Sequence, residues 1–200
     1  MNNERRGIGV MQGSKTRLGI RTPFWRGVVI GLGVAAAVLE GPYVNWRPVA
    51  PPVDQEPLFV RQDAKGDGRF GAPRSGHRVH RGIDLVAPLG SPVRAIRSGT
   101  VMMIGTHRGF GRLIELDHRQ SLTSFYAHLD DVNVTMEQRV KQGQIIGTIG
   151  KTGNARSPWV TPHLHLEVAK GGELIDPTTM GLHVVVASTR EPRADGRGGE

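Results

Sequence analysis

The stretch Pro162-His163-Leu164-His165-Leu166-Glu167-Val168 alternates apolar and polar residues with a period of two. This alternation predicts a β-strand with one face in a hydrophobic core. The residues expected to point inwards are Leu164, Leu166 and Val168, and those expected on the opposite face are His163, His165 and Glu167. Two imidazoles one pleat apart, with Cβ atoms roughly 6–7 Å from each other, can both reach one bound ion or water. The alternative is a solvated strand face that happens to carry two histidines.

A second cluster lies upstream, in His80-Arg81-Gly82-Ile83-Asp84. Because the chain has no cysteine, any metal site must be built from histidines and carboxylates. A hydrolytic zinc site uses three protein ligands and leaves a fourth position to water. His80, Asp84 and His165 would supply two imidazoles and one carboxylate, and Gly82 would let the backbone bend between the first two.

These two clusters, with Tyr126-Ala127-His128-Leu129 between them, resemble the lysostaphin-type (LytM-like) zinc metalloendopeptidases, a family of peptidoglycan hydrolases. The resemblance covers roughly residues 66–180. It extends to intervening segments, which are Gly82-Ile83-Asp84-Leu85, Ala87-Pro88, Val93-x-Ala95, Gly99-x-Val101, residues 140–147, Gly150-x-Thr152-Gly153 and Asp176-Pro177.

The resemblance implies a mostly β fold, a compact antiparallel β-sheet peptidase domain with a groove over a zinc site. It implies that His80, Asp84 and His165 hold one Zn²⁺, and that His128 and His163 are active-site histidines that do not bind the ion. The implied substrate is the peptide part of peptidoglycan.

The proposed chemistry also follows from the residue types. The chain lacks an H-E-x-x-H motif, so it has no helix-borne glutamate base of the thermolysin kind. A histidine with an ordinary pKa near 6.5 can take that role. One of His128 and His163 would activate water, and the other would stabilise the oxyanion or protonate the leaving amine. The sequence leaves open which does which.

One departure from the family pattern lies beside the proposed metal. Eight residues, 154–161, separate Thr152-Gly153 from Pro162-His163, where the family usually has about four or five. We expect this longer loop, which carries Trp159, to influence substrate preference. The remaining histidines, at positions 77, 107, 118 and 183, are predicted to be loop or surface residues.

The chain divides by composition into five parts. Residues 1–26 form a basic N-terminal segment, 27–44 a membrane anchor or signal segment, 45–58 a Pro-rich linker, 59–182 the peptidase domain and 183–200 a disordered tail. Within the second part, residues 27–39 carry no charge and predict a hydrophobic helix. Ala35-Ala36-Ala37 offers a cleavage site for an export signal. Retention as an anchor and burial in a soluble core are the alternatives.

The net charge of +8 indicates an anionic partner. Because nucleic-acid signatures are absent and aromatics are few, with five Phe, three Trp and two Tyr, no nucleic-acid partner is predicted. We instead expect contact with peptidoglycan peptides, and with a membrane through the N-terminal segment. The expected location is extracytoplasmic, in the periplasm or cell wall, with the protein either membrane-anchored or secreted.

The sequence therefore predicts a zinc-dependent endopeptidase that hydrolyses peptide bonds in peptidoglycan. The alternative is a non-catalytic wall-binding relative that activates an amidase, although all five site positions are filled here. A lipoyl- or biotinyl-type carrier is a further alternative, because residues 140–150 read like those small β domains. Lys141 and Lys151 do not lie at the tight hairpin tip that such a carrier needs.

Overall fold

The computed structural model describes residues 48–186, and this part of the chain is built almost entirely from strands. The strands are β1 Leu58–Val60, β2 Gln62–Asp63, β3 Gly66–Asp67, β4 Pro73–Arg74, β5 Arg78–Val79, β6 Ile83–Val86, β7 Pro92–Arg94, β8 Gly99–His107, β9 Gly111–Asp117, β10 Leu122–Val132, β11 Arg139–Val140, β12 Ile145–Ile149, β13 His163–Lys170, β14 Glu173–Ile175 and β15 Val184–Val186. Short 3₁₀ helices span Gly153–Arg156 and Pro177–Met180. No α-helix occurs within residues 48–186, and the prediction of a mostly β fold is confirmed.

Eleven strands form one sheet, in which the main order is β11-β8-β9-β10-β13-β6-β1-β15. The pairings are antiparallel except for β1 with β15, which run parallel. β12 and β14 branch from β10 and β13, and β7 pairs with β12. Two small hairpins, β2–β3 and β4–β5, precede β6.

The core lies against the apolar face of β13, as the alternation in that strand predicts. Leu164 and Leu166 are fully buried, and Val168 is almost so. Each such side chain contributes roughly 1.5–3 kcal/mol through burial. The polar face of β13 is buried too, because other side chains of the sheet and its loops cover it. A solvated strand face is therefore the wrong interpretation of the two histidines.

β10 changes its partner at His128. Up to Ala127 it pairs with β13, with Ala127 opposite His165, and from Leu129 onwards it pairs with β12. The register with β9 also shifts between Ala127 and Leu129, as in a β-bulge. His128 has a φ of 65°, in the left-handed region that is unusual for a residue with a Cβ. The bulge turns this side chain out of the regular alternation.

The folded unit extends beyond the predicted bounds of 59 and 182. Val49 and Val53, inside the predicted linker, are buried in the core, and the Ala50 amide donates to the carbonyl of Ile96. β15, inside the predicted tail, pairs with β1. Prolines cannot join a sheet interior, but the valines between them can still pack on it.

The predicted N-terminal segment, residues 1–26, lies outside the described residues, as does the predicted hydrophobic helix at 27–44. Within residues 48–186, no helix has the length and apolar content needed to cross a bilayer. Anchor and signal therefore stay as predictions.

Candidate metal centre

The three predicted metal ligands meet in a tight triangle. Asp84 on β6 lies directly opposite His165 on β13, and His80 lies three residues before β6. The Nδ1 atom of His165 is 2.8 Å from Oδ1 of Asp84 and 3.0 Å from Nε2 of His80. That Nε2 atom is 3.1 Å from the same Oδ1. All three side chains are buried.

In both imidazoles of the triangle, the outer nitrogen is the ring nitrogen that points away from Asp84, and its hydrogen bond fixes the orientation of the ring. Nδ1–H of His80 donates to the carbonyl of Arg69 at 2.8 Å, and Nε2–H of His165 donates to Oε1 of Glu167 at 3.2 Å. These acceptors assign the ring protons to the outer nitrogens. The inner nitrogens therefore carry lone pairs that face Asp84, the arrangement found around metal-binding histidines.

The centre of the triangle needs a positive charge. Two lone pairs and a carboxylate oxygen cannot approach within 3.1 Å without a proton or a cation between them. Burial opposes charge on His165, but Asp84 and Glu167 raise its pKa. Burial likewise opposes charge on Asp84, yet the adjacent histidines hold its pKa well below the usual range.

The donor set fits zinc. Zinc prefers imidazole nitrogen and carboxylate oxygen where thiolates are absent, with bonds of about 2.0–2.2 Å. Tetrahedral bonds of that length place ligand atoms about 3.3 Å apart, close to the 2.8–3.1 Å spacings here. His80, Asp84 and His165 are thus the residues that could hold the ion.

Two glycines allow close packing around the strands that carry Asp84 and His165. A Cβ at Gly82 would collide with the carbonyl of Leu166 on β13, and one at Gly68 would lie 2.8 Å from Cβ of Asp84. Gly82 was expected to permit a bend. The structure instead shows that it permits close backbone contact with the strand that carries His165.

His128 and His163 lie beside the triangle, with their ring centroids 4.9 Å apart in an edge-to-face arrangement. Each donates Nδ1–H to a backbone carbonyl, His128 to Thr152 at 2.9 Å and His163 to Thr161 at 2.6 Å. The lone pair of each ring is therefore on Nε2. The structure brings all five predicted site residues together.

Burial favours the uncharged form of both of these histidines. Burial lowers the pKa of His128 to about 3, with a smaller effect from His163 and His165. Burial also lowers the pKa of His163, although Asp84 partly opposes this. A neutral imidazole with a free Nε2 lone pair can accept a proton, as a general base must.

The surface prediction for His118 is wrong. Its side chain is buried, with Nε2 2.6 Å from Oγ of Ser124 and Nδ1 3.2 Å from the carbonyl of Ser98. The Ser124 hydroxyl continues this network to the hydroxyl of Tyr126. Burial lowers the pKa of His118 to about 4. The other three histidines predicted outside the site, at positions 77, 107 and 183, are exposed.

Three further side chains belong to the site. Glu167 orients His165, as its place on the polar face of β13 suggested. Arg61 bonds Oδ2 of Asp84 at 2.9 Å, and Arg74 lies 3.7 Å from the same oxygen. No motif in the sequence distinguished Arg61.

The long loop, residues 154–161, lies between the two carbonyls that bond His128 and His163. Thr152, which precedes this loop, and Thr161, its last residue, supply the carbonyls that hold His128 and His163. Trp159 within it is 72% exposed. The Trp159 ring is therefore not part of the hydrophobic core.

The fold and site define a small antiparallel β domain with a buried His–Asp–His donor set. The model of Peptidase family M23 matches residues 78–177, half of the chain, and the chain belongs to this family. This confirms the resemblance to the lysostaphin-type peptidases.

The proteins similar to this chain include both enzymes and an activator. The chain is 35% identical over 105 residues to the DD-carboxypeptidase/endopeptidase Mpg of Neisseria meningitidis serogroup B, covering 52% of this chain and 23% of that protein. It is 35% identical over 116 residues to the murein hydrolase activator NlpD of Salmonella dublin, covering 58% of this chain and 29% of that protein. A solved zinc-containing peptidase from Vibrio cholerae is similar at 31% identity and a TM-score of 0.52, covering 66% of this chain and 39% of that chain. The chain spans about a quarter of the length of these two curated relatives.

Proposed function

We propose that the protein is a zinc-dependent endopeptidase that hydrolyses peptide bonds in peptidoglycan. The observation that supports this most is the complete donor triangle beside two histidines in the same tautomer. His80, Asp84 and His165 would hold one Zn²⁺, which lowers the pKa of a bound water and polarises a carbonyl when present.

His128 and His163 would move the protons of the reaction. Hydrolysis adds water across the C–N bond, so one proton must leave the water and one must reach the departing amine. Nε2 of each ring is available for this, because Nδ1 is committed to a carbonyl. General acid–base groups of this kind contribute roughly 10²–10⁴-fold to the rate.

The peptide would lie in a groove over the zinc, along the polar face of the sheet. Phe110 and Phe125 pack edge to face there, with centroids 5.0 Å apart, and Phe110 lies 5.4 Å from the ring of His165. Aromatic rings at this position offer apolar contact to a bound chain. The exposed Trp159 would extend that contact from the long loop.

An activator without hydrolytic activity is the second candidate, since the Salmonella dublin relative is named as one. The filled site favours catalysis in this chain, because an activator has no need for a buried donor triangle. The Salmonella dublin relative, which is named as a murein hydrolase activator, supports an extracytoplasmic location. Protease treatment of intact spheroplasts tests this proposal, and a fully protected domain would contradict it.

The direct test is to incubate the full chain with zinc and purified peptidoglycan and to identify released fragments by mass spectrometry. His165→Ala should lose both zinc and turnover, because a buried ligand is gone. His128→Ala should keep its zinc and lose turnover alone. Loss of zinc from His128→Ala would show that His128 is itself a ligand. An activator would release no fragments yet stimulate an added amidase, with or without His165.

A further inference from the structure

We propose that Arg61 and Asp63 are positioning residues for the metal ligand Asp84 and for His163. Both lie upstream of the residues that the family model matches, 78–177. They would act as one unit that fixes two different parts of the site. This inference rests on the proposed function and adds two residues to it.

Arg61 holds Asp84 through a fixed set of bonds. Its side chain is only 6% exposed, and Nη2 and Nε lie 2.9 Å and 3.2 Å from Oδ2 of Asp84. The backbone amide of Arg61 also donates to the carbonyl of Asp84 at 2.8 Å. Because Oδ2 is engaged in this way, Oδ1 is the oxygen turned towards His80 and His165.

Asp63 continues the connection to the opposite side of the site. Its Oδ1 accepts Nη1–H of Arg61 at 2.6 Å, and its Oδ2 accepts the backbone amide of Thr161 at 2.9 Å. The carbonyl of Thr161 in turn accepts Nδ1–H of His163 at 2.6 Å. Hydrogen bonds joined through the backbone of Thr161 therefore connect Asp84 with His163.

The chemistry of the series requires arginine. A planar guanidinium can bond two carboxylates at once in fixed directions, whereas an ammonium is a single point charge. Arg61→Lys keeps the charge but lacks the rigid set of donors that holds Asp63 and Asp84 in these fixed directions. Replacement of groups that orient metal ligands typically costs 10–100-fold in metal affinity.

The experiment uses full-length protein, with zinc affinity measured by competition with a chelator of known affinity. Arg61→Lys should bind zinc 10–100-fold more weakly. Arg94→Lys is the matched control, because Arg94 bonds both oxygens of Asp54 at 2.6 Å and 3.0 Å on the surface. Its zinc affinity should stay within about twofold of wild type, since surface substitutions have little effect.

Asp63→Asn tests the other half of the proposal. It leaves the bonds between Arg61 and Asp84 in place, so zinc affinity should change less than in Arg61→Lys. ¹H–¹⁵N spectra of the imidazoles should show that His163 is no longer held as the Nδ1–H tautomer. The pH profile of turnover should shift with it, which a purely structural role would not produce.

Two results would overturn the inference. One is a zinc affinity for Arg61→Lys equal to that of Arg94→Lys, and the other is an unchanged His163 tautomer in Asp63→Asn. If Arg61→Lys fails to fold, the His163 tautomer in the Asp63→Asn spectra still tests the proposal. A wild-type protein without zinc affinity would refute the proposed function, while the tautomer of His163 would still test the hydrogen-bond series.

Discussion

Glu167→Gln isolates the contribution of one buried charge to metal binding. Oε1 of Glu167 lies 3.2 Å from Nε2 of His165, and the side chain is 9% exposed. The amide oxygen of glutamine can still accept Nε2–H, so the tautomer of His165 is kept while the charge is removed. Any change in zinc affinity then reports the charge on Glu167.

The expected magnitude follows from hydrogen-bond energies. A bond to a charged group contributes about 1.5–3 kcal/mol, and one between neutral groups about 0.5–1.5 kcal/mol. The difference is about 1–1.5 kcal/mol, which corresponds to roughly a tenfold loss of zinc affinity. Glu167→Ala removes the acceptor altogether, so its affinity should fall further, within the 10–100-fold range typical of such residues.

Glu115→Gln is the matched control. Glu115 and Glu167 lie on either side of Phe125 on the same sheet face. Within residues 48–186, no hydrogen bond or ion pair joins Glu115 to a proposed metal ligand. Burial and the charge of Glu167 both raise the pKa of Glu115. Chelator competition at pH 7.5 should give Glu115→Gln an affinity within about twofold of wild type. Equal affinities for Glu115→Gln and Glu167→Gln would refute the reasoning.

Three further predictions concern stability and the long loop. Burial lowers the pKa of His118 from 6.5 to about 4. The free energy of unfolding should therefore have its full value above pH 6.5 and decrease by about 3 kcal/mol as the pH drops towards 4, because the unfolded chain then binds a proton that the folded chain does not. Urea unfolding of His118→Gln should show a shallower fall, and identical profiles would contradict this. Gly82→Ala should cost about 1–3 kcal/mol and weaken zinc binding, whereas Gly105→Ala, whose Cβ would meet nothing closer than 3.9 Å, should leave chelator competition unchanged. Trp159→Ala should change stability by less than about 0.5 kcal/mol yet reduce affinity for peptidoglycan fragments in sedimentation assays, and unchanged affinity would exclude a substrate role.

The strands could be predicted where the local pattern determines the outcome. The alternation around His163 and His165 identified both faces of β13, since side chains on a strand alternate whatever the strand pairs with. The spacing of His80 and Asp84 identified two of the three donors. The third, His165, is brought beside them only by the pairing of β6 with β13. Local pattern and tertiary pairing agree here.

The sequence could not reveal contacts that depend on side-chain direction in irregular segments. Arg61 reaches Asp84 because β1 pairs with β6, and nothing adjacent to Arg61 records that pairing. His118 stands in a turn-like segment and was expected to face water, yet its ring folds inwards to Ser124. The residues after it, at positions 119–121, all have positive φ values although none of them is a glycine. The sequence therefore contains no local signal for this turn.

The left-handed backbone at His128 restricts how an inactive form of the protein can be made. Asparagine adopts this conformation more readily than most residues, whereas a β-branched side chain is strained there. His128→Asn should therefore preserve the bulge and the partner change of β10, while His128→Val would disturb both. An asparagine variant would then be the better reagent for trapping an uncleaved wall peptide, because its failure to turn over could be attributed to the missing imidazole rather than to a displaced strand.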